Sequence, residues 1–468
     1  MSGPTFDLLI RGGRVVTGRL DERLDVGVDG GRVAALLRPG VPASARKVVD
    51  AAGLMVLPGG IDTHTHVAWP YGDRVTRDGF AGATRAAALG GTTTLVDFVP
   101  PNAPGQRLAD ACEERIRAID EAAVIEVGLH PILNRSDEET LGDIGAVIGR
   151  GLTSFKMYTT YEENRVDDGD VWRLTREIAR HGGLPGFHAE NHELLTAAEH
   201  ELAAGGRTDV RDFPDSRPAL AEAAAIGTVT LIAGTVGTPV YIFHVSGAAA
   251  LAAIDRARTS GVTVHAETCT HYLTFDDTVF ARPDGWKFVI TPPIRGAADR
   301  DRLWAAVAGG GVTSVGSDHC AYPLAEKSAR PDDHRLTPPG AAGVQSRTPV
   351  LWHETVNVRG LAPSLFAQVS AERAARALGM YPRKGTIAVG SDADLLLLDP
   401  DAAWTGADLD PASGDTFDLY ADHAGRGRAR HVFVRGQAVV EDGRLTDGPA
   451  PGGFLPRARV GEPCPAQS

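Results

Sequence analysis

The chain is poor in cysteine, in lysine and in net positive charge. Its four cysteines, Cys112, Cys269, Cys320 and Cys464, are scattered without CxxC spacing, which argues against a disulfide framework and a thiolate zinc site and for free thiols. A net charge of -13 with no Lys/Arg cluster excludes the basic surface that nucleic acid or an anionic membrane selects. No apolar run reads as long enough to span a bilayer, and the opening MSGPTFDLLIRGG lacks the charged-then-apolar layout of a secretion signal. These absences predict a soluble cytoplasmic protein without nucleic-acid or membrane partners. No glycine-rich dinucleotide fingerprint follows any strand-like run, which weighs against an open doubly wound sheet.

What the chain does have is arginine: 42 of its 47 basic residues, against five lysines. A lysine kept inside an apolar strand, as Lys156 is in TSFKMY, therefore suggests that the amine itself is needed. Hydrophobic residues make up 43% of the sequence, ample for a large core. Between residues 55 and 318, eight strand-like runs alternate with amphipathic segments: 55–62, 92–98, 124–130, 153–158, 184–190, 239–246, 262–269 and 312–318. Eight such units predict a (β/α)8 barrel over 55–382. Residues 1–54 and 383–447 read as β-hairpins on either side of it, predicting one small β-sandwich domain built from both termini. Residues 448–468, rich in Pro and Gly, read as a flexible tail. The connections 191–216 and 319–345 are long enough to shape or cover a site.

Polar residues collect at the strand ends. IDTHTH places His64 and His66 two residues apart, on one face of a strand. With 15 histidines in 468 residues, roughly 0.5 such pairs arise by chance, so the pair alone is weak. Yet Lys156, His188, His244 and Asp318 fall at or near the C-terminal ends of four other strand-like runs, at the rim where barrel enzymes collect their catalytic groups. Singly, each has a plainer explanation: a rim histidine, a lysine whose stem crosses the core, an aspartate that caps a helix. Together, four imidazoles and a carboxylate suit Zn²⁺. They also exceed the three protein ligands of one catalytic zinc, which makes two ions plausible. A lysine among cations favours its neutral amine, which can take up CO2 as a carbamate whose oxygens bridge metals.

The motifs GGIDTHTHVAWPYG, GGTTTLVDF, TSFKMYTTY, HAEN, FHVSG, ETCTHYL, TPPIR, GSDHCAY and KGTIAVGSDADLLLLDP, in order from about residue 5 to 445, resemble the dihydropyrimidinases and hydantoinases, cyclic amidohydrolases of the amidohydrolase superfamily. The resemblance implies two Zn²⁺ ions, His64, His66 and Asp318 on one, His188 and His244 on the other, bridged by N6-carboxylated Lys156. It implies that a metal-bridging hydroxide opens the ring amide of a hydantoin, dihydropyrimidine or related ureide, with Asp318 moving the proton and Tyr161 stabilising the oxyanion. Thr291 and Pro339 stand where relatives meet the substrate through their main chain; proline keeps the carbonyl and loses the N–H. Arg165 stands where many hydantoinases place a bulky apolar residue, so a polar or acidic substituent is expected there unless the arginine is merely solvated. Trp69, Tyr71 and Tyr158 are candidates to line the same pocket. Relatives tend to form homotetramers, and a homodimer is the lesser alternative. Allantoinase is a weaker reading. Dihydroorotase is disfavoured because Ala68 stands where that enzyme carries an arginine. A non-catalytic dihydropyrimidinase-related interaction protein is disfavoured because all six metal positions are filled.

Overall fold

A computed structural model describes residues 4–72, 74–103, 105–409, 416–417, 419–448 and 451–462. Barrel strands 1 to 8 are Gly60–Thr65, Thr92–Val99, Glu126–Pro131, Ser154–Tyr158, Leu184–His188, Val240–Ile242, Val264–Cys269 and Ser314–Gly316. Neighbours within strands 1–3 and within strands 4–8 pair in parallel. Two parallel bridges, Ile132 with Lys156 and Thr65 with His319, join the two sets and close the ring. Strands 1 to 5 are buried at every position, as a parallel sheet covered by helices requires.

The helices turn their apolar stripes inward. Leu108–Ala122 buries Leu108, Ala111, Cys112, Ile116 and Ile119, one face of a 3.6-residue repeat. Asp168–Arg180 starts where Asp167 accepts a hydrogen bond from the Asp170 N–H, a side-chain cap worth about 1 kcal/mol. Contrary to the sequence reading, one stretch, Val210–Val236, has the length and mean hydropathy (1.6) of a membrane span. It is interrupted at Arg217 and Pro218, and its last helix, Ala219–Val236, buries one face, with Ala221, Ala225, Ile226, Val229 and Ala233, and leaves Leu220 and Leu231 exposed. The connection 191–216 contains a helix, His192–Ala204, capped by the Asn191 side chain.

The apolar run at 55–62 belongs to two structures. Met55–Pro58 pairs with Thr5–Val16 and with Leu395–Thr405, whereas Gly60–Thr65 enters the barrel. Met55–Pro58 therefore stitches both ends of the chain into one nine-stranded sheet, with Leu8, Ile10, Val26, Val33, Leu395 and Phe433 in its own core. This is the small β-domain expected from both termini.

The flexible tail expected over 448–468 is corrected where the chain is described. Gly453 and Phe454 extend the sheet beside strand 3, Leu455 and Arg457 are buried, and the Arg457 guanidinium donates to the Leu129 carbonyl. Proline and glycine removed helix signals here without removing the partners that the backbone finds. Cys112, Cys269 and Cys320 are buried free thiols; Cys464 lies outside the described residues.

Candidate active site

Parallel strands bring their C-terminal ends to one rim, and the side chains expected there meet. His64 Nε2 lies 3.2 Å from His66 Nε2, 3.0 Å from Lys156 Nζ and 3.0 Å from Asp318 Oδ1. His66 Nε2 is 3.4 Å from the same carboxylate oxygen. Ligand atoms of His64, His66 and Asp318 all fall within 4.8 Å of one another. His188 and His244 stand beside them, ring centroids 4.4 Å apart, and His244 is 5.3 Å from His64.

The donor set fits a cation. Nitrogen atoms facing one another across about 3 Å repel unless a proton or a metal lies between them. Both ring nitrogens of His244 and Nδ1 of His66 are buried without a hydrogen-bond partner, which is costly unless something else engages them. Burial pushes His66 down to about 3 and His188 to about 4, so both present neutral rings, the form that ligates metal. Burial would raise Asp318, but His64 and His66 hold it well below the usual carboxylate range. Lys156, 1% exposed, is pushed down to about 8 by burial, against the opposing charges of Asp318 and Glu267. Its amine thus has a neutral fraction far larger than a surface lysine's.

Two carboxylates that the sequence reading did not single out aim the rings. Glu267 Oε1 accepts from His64 Nδ1 at 2.7 Å, and Glu190 Oε2 pairs with His188 Nε2 at 2.7 Å. Each leaves one ring nitrogen, Nε2 of His64 and Nδ1 of His188, for a metal; such partners fix tautomer and orientation. Glu190 is itself held by Arg217 at 2.6 and 3.1 Å. A third missed residue, His319, accepts from the Gly343 N–H through Nδ1 (3.0 Å) and meets Asp78 through Nε2 (2.5 Å). Its carbonyl accepts from the His66 N–H at 2.7 Å, which fixes strand 1 against the residue following Asp318. The only sequence signal was position: Glu190 follows His188 by two residues and His319 follows Asp318 directly, whereas nothing in the sequence ties Glu267 to His64.

Above the cluster is a cavity of about 130 Å³ lined by His66, Trp69, Lys156, Tyr158, Tyr161, Asn164, His188, His244, Thr291, Asp318, Cys320, Tyr322, Pro339 and Gly340. Tyr161 and Thr291 are joined by a 2.5 Å hydrogen bond between their hydroxyls, and burial pushes Tyr161 up to about 12, so it stays a donor. Of the six described non-glycine residues with left-handed backbone, four, Ala68, Tyr161, His244 and Asp318, lie in or beside this region, and the other two, Arg435 and Asp442, lie in the β-domain; such residues cost energy and cluster at functional sites.

Two expected pocket residues lie elsewhere. Tyr71 packs edge-on against Tyr322 and donates to Glu326 at 2.7 Å, one layer behind the wall. Arg165 lines a separate surface cleft and pairs with Glu162 (3.3 Å) and Glu193 (3.9 Å). The N–H groups of Asn164 and Arg165 both donate to the Tyr161 carbonyl; this tight turn lets Asn164, not Arg165, line the cavity.

Comparison with known proteins identifies the family and the fold. The amidohydrolase family matches residues 55–439. A D-hydantoinase from Ralstonia pickettii is 35% identical over 97% of this chain and 99% of its own length. A solved D-hydantoinase structure superposes with a TM-score of 0.92 at 35% identity, over 97% of this chain and 100% of its own. A dihydropyrimidinase from Brevibacillus agri superposes with a TM-score of 0.91 at 32% identity, over 97% of this chain and 99% of its own.

Proposed function

The chain belongs to the amidohydrolase family, on its hydantoinase and dihydropyrimidinase branch, and on that premise we propose that it is a metal-dependent hydrolase that opens the ring amide of hydantoins, dihydropyrimidines or related cyclic ureides and imides. The observation that carries this reading is the convergence of His64, His66, Asp318 and Lys156 on one point at the floor of the cavity. A space of about 130 Å³ is far below the roughly 300–1,000 Å³ of drug-sized sites, which favours a small ring.

His64, His66 and Asp318 would hold one Zn²⁺, His188 and His244 the other, and carboxylated Lys156 would be shared between them. When bound, such ions supply Lewis acidity: they polarise a carbonyl and lower the pKa of water. Asp318, kept ionised, would offer one carboxylate oxygen to the metal and with the other accept a proton from the attacking water and return it to the departing ring nitrogen. Tyr161, kept protonated and held by Thr291, donates to the carbonyl oxygen as charge develops there. The main chains of Thr291 and Pro339 flank the ring edge; Pro339 offers a carbonyl and no N–H. Trp69 and Tyr158 supply the apolar walls.

The test is metal analysis with a panel of cyclic ureides and imides, read as loss of ring absorbance. About two zinc ions per chain are expected, with N-carbamoyl amino acids as products. Intact mass should show one added CO2 that Lys156→Met abolishes. A zinc-loaded enzyme that leaves every ring closed would move the substrate elsewhere in the family.

A further inference from the structure

Lys327 is fully buried in a segment for which the proposed chemistry has no use. It ends the single helical turn Leu324–Lys327 inside the 319–345 connection. Its Nζ donates to three main-chain carbonyls: Val289 at 2.8 Å, Pro338 at 2.6 Å and Gly340 at 2.9 Å. Three carbonyls surround the amine, enough to engage every donor it can carry. Among the described residues no carboxylate pairs with it, and burial holds its pKa well below that of a surface lysine. A buried amine without a counter-ion is kept only where dipoles replace water around it, and here those dipoles belong to two chain segments that frame the cavity.

One segment leads from Val289 to Thr291, and the other is Pro338-Pro339-Gly340; Thr291, Pro339 and Gly340 all line the cavity. The Gly340 N–H also donates to the Val289 carbonyl at 3.0 Å, so the two segments are joined directly as well as through the lysine. Lys327 takes the carbonyls on either side of Pro339, whereas the Pro339 carbonyl is not drawn to it. There is little slack: a Cβ at Gly340 (φ 151°) would lie 3.0 Å from the Cys320 Cβ and 3.1 Å from the Tyr322 ring.

We propose that Lys327 is a positioning residue for the substrate: by tying Val289, Pro338 and Gly340 together, it sets the separation of the Thr291 and Pro339 main chains, and so the width of the wall that meets the ring's amide edge. This rests on the ring-opening function proposed above.

Lys327→Met keeps an unbranched side chain and removes every donor. Metal content, KM, kcat and amide hydrogen exchange at Gly340 and Ala341 are compared with wild type. The expected result is unchanged zinc, faster exchange at both amides, and a roughly tenfold rise in KM with kcat within about threefold. A lysine that merely stabilised the fold would lower the active fraction, and hence apparent kcat, at constant KM; that result overturns the proposal, as does faster exchange with KM unchanged. If wild type opens no ring, the function falls separately and exchange alone judges the clamp: faster exchange sustains it, unchanged exchange overturns it. Should Lys327→Met fail to fold, Lys327→Gln, with two donors left, is held to the same readouts.

Discussion

Glu267 Oε1 and His64 Nδ1 lie 2.7 Å apart with both side chains fully buried. The carboxylate also accepts from Thr63 at 2.6 Å and from Tyr241 at 2.9 Å. Nδ1 therefore carries a proton, and Nε2 is left to face Lys156 and Asp318. Glu267→Gln keeps the shape and removes the charge that makes His64 a stronger ligand. Metal affinity should fall about 10–100-fold, read by competition with a chromogenic chelator. Wild-type metal retention would mean that the pair serves packing alone.

Tyr161→Phe removes the hydroxyl that Thr291 holds at 2.5 Å. A lost oxyanion donor costs about 3 kcal/mol, or roughly 100-fold in kcat, and KM should change little because the contact strengthens only as charge develops. Steady-state kinetics on the best substrate of the panel separates the two parameters. A loss confined to KM would make Tyr161 a ground-state contact.

Glu222, which is not itself one of the proposed metal ligands, gives a pH signature. Burial pushes its carboxyl up from 4.5 to about 7, with Arg295 opposing, while it accepts from the Ser246 N–H at 3.0 Å. The folded state therefore holds this proton over a range where the unfolded chain has released it. That contribution to stability is fully present below pH 4.5 and is lost as pH rises through about 7. Over the whole window the loss is of order 3 kcal/mol. Glu222→Gln keeps an acceptor for Ser246, so urea unfolding between about pH 5 and pH 8 should show a flatter stability profile than wild type. Parallel profiles for the two proteins would contradict this assignment.

The barrel was legible because eight short apolar runs alternate with amphipathic segments, a repetition that a single run, which a buried helix can imitate, would not supply; Lys156 stood out because the chain has so few lysines. The metal-ligand candidates were legible because they recur at the same end of successive runs. Glu190 and Glu267 were harder: a carboxylate beside a histidine is common, and only the fold shows that it faces the ring. Arg165 was misdirected because sequence spacing does not reveal the left-handed turn at Tyr161 (φ 68°) that carries the next residues away from the cavity. The tail was misread because composition measures helix and strand propensity, whereas Gly453 and Phe454 take their order from the waiting edge of strand 3.

That tail has a consequence for how the chain is made. Leu455 and Arg457 seat against strand 3 more than three hundred residues after it was synthesised, so that edge stays uncovered until those residues have been made. A nascent chain stalled before residue 451 would expose an unpaired strand edge, and its hazard is premature association with other nascent chains rather than slow chemistry.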